Sequence, residues 1–442
     1  MVYITNGYLI DPKSGVEGYR DILIKGNKIV RIAERGTPLS DLLEQADLGE
    51  DEQRADIEQI DAAGKTIVPG LVDVHVHFRD PGFTHKEDME SGAAAAAKGG
   101  FTTVVLMANT KPPVDNEETL SYVLQKGNKT GIHVHTCANV TMGMKGQDLV
   151  DMEALSQAGA VGFTDDGIPI LEEEILREAL QRAAKLGKPI SLHEEDPAYI
   201  ANNGIHAGKA SAYYGIGGSG REAEIGMVER DLRIALTQEA DLSIQHISTK
   251  EAVELVRQAK KQSSHIFAEA TPHHFTLTQE AAIKHGTLAK MNPPLREEAD
   301  RLAIIKGLQD GTIDMIATDH APHSSEEKAK PITEAPSGII GLETALSLGI
   351  RELVKPDCLT LMELIEKMSL APARLYHLDA GYLAENGPAD LMIFDKDALW
   401  QVEQDKFASK ACNSPFIGET MPGVVAYTIC DGKIVYASKN TK

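Results

Sequence analysis

Cysteine is scarce: the 442-residue chain has four, Cys137, Cys358, Cys412 and Cys430, far apart and never in Cys-x-x-Cys spacing. A disulfide framework and a thiolate zinc site are therefore not indicated, which leaves imidazole and carboxylate as the ligands for any metal. Positive charge is also short. Lys and Arg number 44 against 66 Asp and Glu, for a net charge of -22, and this argues against nucleic acid as a partner, because phosphate binding relies on clustered cations. No apolar run is long enough to cross a bilayer. The opening Met1-Val2-Tyr3-Ile4-Thr5-Asn6-Gly7 lacks a basic segment followed by an apolar one, so a cytoplasmic protein with no membrane partner is expected. Internal repeats and low-complexity tracts are missing too, beyond Ala93–Ala97, which suits a closely packed helix.

What is present is ordinary globular composition, 42% hydrophobic and 25% charged, in a chain whose length suits one large α/β barrel with a satellite module. Short β-rich runs alternate with helical stretches, the pattern of a parallel sheet wrapped by helices. Strands are expected over 66–75, 102–107, 131–137, 160–164, 189–193, 241–246, 265–270 and 314–318, enough to close a barrel of eight. Helices are expected over 91–98, 172–186, 222–235, 249–262 and 298–309. Both ends show short alternating strands with Asn6-Gly7, Asn386-Gly387 and Asp431-Gly432 as turn signals. The expected organisation is a barrel over 63–379 beside a composite β-sandwich from 1–62 and 380–442. The acidic stretch 39–60 reads as a solvated insertion or extra surface helix.

Chemistry concentrates where the apolar runs end. His75 and His77 alternate with valines, so on a strand both project to one face and can grip one metal ion. Asp165-Asp166-Gly167, His193, His246 and Asp319 each close a strand-like run of their own, and barrel enzymes carry their catalytic side chains at that end. Spacing alone does not separate Asp165 from Asp166, and either could simply cap the helix expected from Glu172.

The motifs Asp73-Val-His-Val-His-Phe-Arg-Asp-Pro-Gly82, Thr164-Asp-Asp-Gly167, Met291-Asn-Pro-Pro-Leu-Arg296 and Ala317-Thr-Asp-His-Ala-Pro-His323 resemble the dihydroorotases of the long bacterial class, in the amidohydrolase superfamily. The resemblance runs from the first strand to Asn413-Ser-Pro-Phe416. It implies a distorted (β/α)8 barrel and two zinc ions per subunit, one held by His75, His77 and Asp319, the other by His193 and His246, with Asp166 between them. It further implies interconversion of N-carbamoyl-L-aspartate and L-dihydroorotate in pyrimidine synthesis, by a zinc-bridged hydroxide with Asp319 as proton carrier. His77, Arg79, Asn109, Asn292, His323, Ser337 and Gly338 are carried over as substrate contacts. Ser337 stands where many relatives have Phe, and Ala108 where Pro is common. A homodimer, and association with aspartate carbamoyltransferase, are the partner expectations. Allantoinase or hydantoinase activity, or a catalytically silent structural partner, are the alternatives.

Other features are set aside. His133 and His135, and likewise His273 and His274, are expected to pack rather than ligate, while His320 is expected to orient a neighbour in the Asp319 loop. Gly215-Ile-Gly-Gly-Ser-Gly220 fits a dinucleotide pattern by letter but follows no strand of such a unit. The polar run Ser324–Lys330 reads as part of a mobile lid extending through Ser337.

Overall fold

The computed structural model describes residues 1–46 and 57–439. Strands β1 (Val2–Asp11), β2 (Val16–Lys25), β3 (Lys28–Glu34), β4 (Glu58–Asp61) and β5 (Thr66–Pro69) come from the first part of the chain. The barrel strands follow as β6 (Leu71–Val76), β7 (Phe101–Leu106), β8 (His133–Thr136), β9 (Ile190–Leu192), β10 (Leu242–Ile244), β11 (Ile266–Ala270) and β12 (Met315–Ile316). The chain ends with β13 (Leu391–Gln401), β14 (Thr420–Cys430) and β15 (Lys433–Ala437).

The barrel consists of two parallel ladders, β6-β7-β8 and β9-β10-β11-β12. Residues 160–164, expected as a strand, form only an isolated parallel bridge at Phe163, paired with Ala138 on one side and Ile190 on the other. Its backbone nevertheless bonds both neighbours, with Thr164 N donating to Ala138 O at 2.9 Å and Phe163 N to Pro189 O at 3.0 Å. A parallel bridge from Val76 to His320 joins the last position back to the first, so eight positions close the ring. Every residue of β6 and β7 is buried, as expected of strands covered on both sides.

The helices fall close to where periodicity places them, at Met89–Lys98, Glu173–Leu186, Glu222–Ala235, Lys250–Lys260 and Glu298–Asp310. Thr249 and Asp88, both at N-caps, accept from backbone N–H groups of their first turns. The alanine run does pack closely: Gly92 lies against Phe78, where an added Cβ would come within 2.5 Å of the ring.

Strands from both chain ends share one eight-stranded sheet, ordered β15-β14-β13-β5-β1-β2-β3 with β4 on β1. It has its own core, including Ile4, Ile22, Ile67 and Ile393, while Met392 and Phe394 join the barrel's core. Two local expectations need correction. The run 66–75 is not one barrel strand: it divides at Gly70, and Thr66–Pro69 pairs with β1 and β13 instead. Gly70 passes so near Thr102 that an added Cβ would lie 2.1 Å from its hydroxyl oxygen. Asn6-Gly7 is not a turn but a bulge inside β1, with Asn6 at φ 62°. Asp431-Gly432, by contrast, forms the expected two-residue hairpin turn between β14 and β15, with φ of 49° and 69°. Within the 39–60 insertion, Leu39–Gln45 is helical and Glu58–Asp61 joins the sheet; 47–56 lie outside the described residues.

His133 takes a structural role. Its Nε2 lies 2.9 Å from Asp390 Oδ2, tying β8 to the residue that precedes β13. This hydrogen bond outweighs partial burial and raises the imidazole above its usual value. Such a group contributes stability that is complete below its unfolded pKa and is lost as pH rises through the folded one. The gap in thermal midpoint between wild type and His133→Gln should therefore shrink from about pH 6 to about pH 9. A gap constant over that range would show that the pair is not charged.

Candidate metal centre

At the C-terminal mouth of the barrel the alternation of β6 turns Asp73, His75 and His77 to one side. Asp73 is fully buried; its Oδ1 accepts from the backbone N–H of His75 at 3.1 Å and of Thr318 at 3.2 Å. That carboxylate ties the His75-Val-His77 strand to the loop carrying Asp319, although burial raises its pKa to about 6. His77 Nε2 consequently sits 3.0 Å from Asp319 Oδ1.

Asp166 stands among the histidines. Its Oδ1 lies 3.3 Å from His75 Nε2 and 3.8 Å from both His193 Nδ1 and His246 Nε2, while Oδ2 is 3.5 Å from His77 Nε2. Its neighbour does other work: Asp165 Oδ1 accepts from the Val140 and Thr141 backbone N–H groups at 2.9 and 3.2 Å. The geometry thus separates two aspartates that spacing left equivalent, and neither caps the following helix, whose N-cap is Glu172.

Two overlapping groups, His75/His77/Asp319 and His75/Asp166/His246, bring their donor atoms within 4.8 Å of one another, all from buried residues. His193 Nδ1 joins them 2.9 Å from His246 Nε2. Within this cluster His75 Nε2 is a buried ring nitrogen with no hydrogen bond among the described residues, although carboxylate oxygens of Asp166 and Asp319 lie 3.3 and 3.5 Å away. Imidazole nitrogens and carboxylate oxygens converging in one buried cluster, with His75 Nε2 left unpartnered among the described residues, are the donor set of a divalent transition-metal site, so these residues fit such ions. Electrostatics agree. Burial works to raise the Asp166 and Asp319 carboxyls, yet the surrounding histidines outweigh it and hold both below the ordinary range. Burial likewise opposes charge on His75, but Glu269, Asp166 and Asp319 raise it well above normal.

Three of the pocket residues adopt left-handed backbone: Arg79 at φ 60°, His246 at 30° and Asp319 at 48°. Non-glycine residues rarely sit there, and such conformations persist only where surroundings enforce them. At Arg79 the turn swings the side chain off the end of β6 toward the barrel mouth.

The cavity above the cluster measures about 310 Å³. It is lined by His77, Arg79, Asn109, Asp166, His193, His246, Asn292, Asp319, Ser337 and Gly338. The two remaining sequence-predicted residues lie behind its walls. His75 is fully buried beneath it. His323 Nε2 is 2.8 Å from the Ser337 carbonyl, and burial with Arg79, Lys86 and Lys328 nearby pushes its pKa down to about 2; it holds the loop as a neutral donor. Asn109 bridges the centre, its Oδ1 3.0 Å from His77 Nδ1 and its Nδ2 donating to Asp166 Oδ2 at 3.1 Å. Asn292 Nδ2 reaches His193 Nε2 at 3.3 Å. Among the described residues no carboxylate pairs with Arg79; its Nε donates only to Pro322 O, at 3.4 Å.

Sequence reasoning missed Glu269, whose Oε1 lies 2.5 Å from His75 Nδ1 and thereby turns Nε2 into the centre. A signal was available: a lone carboxylate inside the apolar run Ile266-Phe-Ala-Glu-Ala270 must find a buried partner. Glu195 was missed likewise, 3.3 Å from His193 Nε2. His274, between Thr271 Oγ1 and Pro293 O, packs as expected, and His320 Nδ1 accepts from the Gly341 N–H at 3.1 Å. Within the 324–330 run, Ser325–Lys328 is a capped helical turn and Lys328 is buried.

The amidohydrolase family model matches residues 66–435. A dihydroorotase of Clostridioides difficile is 52% identical over 437 residues, covering 99% of this chain and 100% of that protein. Another, from Streptococcus pneumoniae, is 50% identical with the same coverage. Among solved structures, an L-hydantoinase (dihydropyrimidinase) from Arthrobacter aurescens superposes with a TM-score of 0.85 at 25% identity, covering 99% of this chain and 96% of that one. No helix among the described residues is long and apolar enough to cross a membrane. The chain belongs to the amidohydrolase family and, within it, to the dihydroorotases.

Proposed function

We propose that the protein interconverts N-carbamoyl-L-aspartate and L-dihydroorotate in pyrimidine synthesis, using two zinc ions held by His75, His77, Asp166, His193, His246 and Asp319. The observation that carries this reading is the convergence of four imidazoles and two carboxylates beneath a pocket that also holds an unpaired guanidinium. When bound, such ions supply an acidic water and polarise the amide carbonyl.

The chain's own groups do the rest. Asp319 stays ionised beside His77 and lines the pocket, so it accepts the proton lost as water adds to the ring carbonyl carbon. The C–N bond then breaks, and Asp319 returns that proton to the departing amide nitrogen. Ring closure runs the same transfers in reverse. Arg79 presents a planar fork for the substrate carboxylate, with Asn109, Asn292 and the Ser337–Gly338 loop completing the contacts and His323 holding that loop. A cytoplasmic homodimer, free or associated with aspartate carbamoyltransferase, belongs to the same reading.

The hydantoinase-like fold favours one rival, a cyclic amidase acting on rings without a carboxylate. An unpaired Arg79 at the pocket speaks for the carboxylate-bearing ring, and the intact donor set speaks against a silent structural partner. Parallel ring-opening assays on L-dihydroorotate, allantoin and hydantoin separate the enzyme readings. L-dihydroorotate should lead in kcat/KM by about 10³-fold or more, since a site built to bond a polar group strongly rejects analogues lacking it. Preference for hydantoin or allantoin would overturn the assignment.

A further inference from the structure

Residues 331–338 form a loop without regular structure that closes one side of the pocket through Ala335–Gly338. Its shape is imposed from below by two ammonium groups. Lys290 Nζ donates to the carbonyls of Ile332 and Ala335 at 2.8 and 2.7 Å. Lys328 Nζ donates to those of Pro336 and Gly338 at 2.9 and 3.0 Å. Both lysines are 4% exposed. Among the described residues neither has a carboxylate at ion-pair distance; Glu327, next to Lys328 in sequence, pairs with Lys86 instead, at 2.9 Å.

Two buried ammoniums without counter-ions are costly, because desolvation disfavours charge. Burial pushes Lys290 down, and burial together with Lys290 brings Lys328 down to about 7. They hold backbone carbonyls in return, which sets the direction of the other half of each planar peptide. With Pro336 O turned to Lys328, the Ser337 N–H points the opposite way, and it has no acceptor among the described residues. The adjoining Ser337 carbonyl is held by His323 at 2.8 Å, and the Gly338 N–H donates to Lys290 O, also at 2.8 Å. One backbone donor, the Ser337 N–H, is thereby left without an acceptor among the described residues in the wall of the pocket, on a loop held by two buried lysines.

We propose that Lys290 and Lys328 are positioning residues for the anionic substrate, acting through the backbone of the 332–338 loop rather than by touching the reacting atoms. The proposal rests on the function proposed above for its substrate. Loop order and the backbone donor it presents serve ground state and transition state alike, so their loss should appear in KM rather than kcat.

The test uses Lys328→Met and Lys290→Met in the zinc-loaded enzyme, with Lys328→Arg as the charge-retaining control. Each Met variant should raise KM for L-dihydroorotate about tenfold or more, the scale of hydrogen bonds to a charged group, while kcat changes less than about threefold. Amide exchange over 332–338, measured without substrate, should speed up in the Met variants and return toward wild type in Lys328→Arg. Unchanged KM and exchange in both Met variants would overturn the proposal, as would loss of kcat at constant KM. If one Met variant fails to fold, the other and the Arg variant carry the same readouts. Should wild type not open L-dihydroorotate at all, the functional reading falls, while exchange still decides whether the lysines order the loop.

Discussion

Asp319→Asn should give a folded, metal-loaded protein whose kcat, in either direction, has fallen about 10²- to 10⁴-fold, the contribution of a positioned acid–base group. Asparagine keeps an oxygen where Oδ1 meets His77 Nε2 at 3.0 Å, and it tolerates the left-handed backbone found there, φ 48°. What it cannot do is take up a proton. Measuring metal content beside kcat isolates that function. Near wild-type turnover would refute the role, and a loss fully explained by missing metal would reduce Asp319 to a ligand.

Arg79→Met should lower kcat/KM for L-dihydroorotate about 10²- to 10³-fold, because removing one partner of a desolvated charge pair costs several kcal/mol. The guanidinium makes no ion pair within the described residues, so its removal strands no carboxylate and should leave thermal stability nearly unchanged. Lysine should restore little, since a point charge does not reproduce the two-pronged bond to a carboxylate. The matching ring without a carboxylate, 5,6-dihydrouracil, supplies the control: its slow opening should be no worse in Arg79→Met than in wild type. Equal losses on both rings would mean that Arg79 supports the fold of the centre rather than recognising the substrate.

Much of this site could be read along the chain because the fold makes it periodic. Strand alternation places His75 and His77 on one face, and a barrel gathers the ends of its strands, so His193, His246 and Asp319 meet even though they are separated by dozens of residues. Helix limits were legible for the same reason, with Glu222–Ala235 falling as the pattern indicates. Contacts across the barrel were not. Glu269 reaches His75 from 194 residues along the chain, and no local pattern names its partner. Asp165 and Asp166 differ only in which way the turn faces them. Asn6-Gly7 carries the letters of a hairpin, but the runs on both sides belong to one strand, and Gly7 is needed where an added Cβ would lie 2.2 Å from Ile67. Lys328 sits in a polar, charged run, and only the loop folded over it reveals that its ammonium is buried.

The central claim is that His75, His77, Asp166, His193, His246 and Asp319 make this chain a metal-dependent enzyme for a carboxylate-bearing cyclic amide. The most direct test is the rate of L-dihydroorotate ring opening by one sample before chelation, after it, and after zinc is returned stepwise. Opening should vanish on chelation and recover in proportion to bound zinc, levelling at two ions per chain. Opening that survives complete metal removal, or its absence from folded, zinc-replete protein, would contradict the claim.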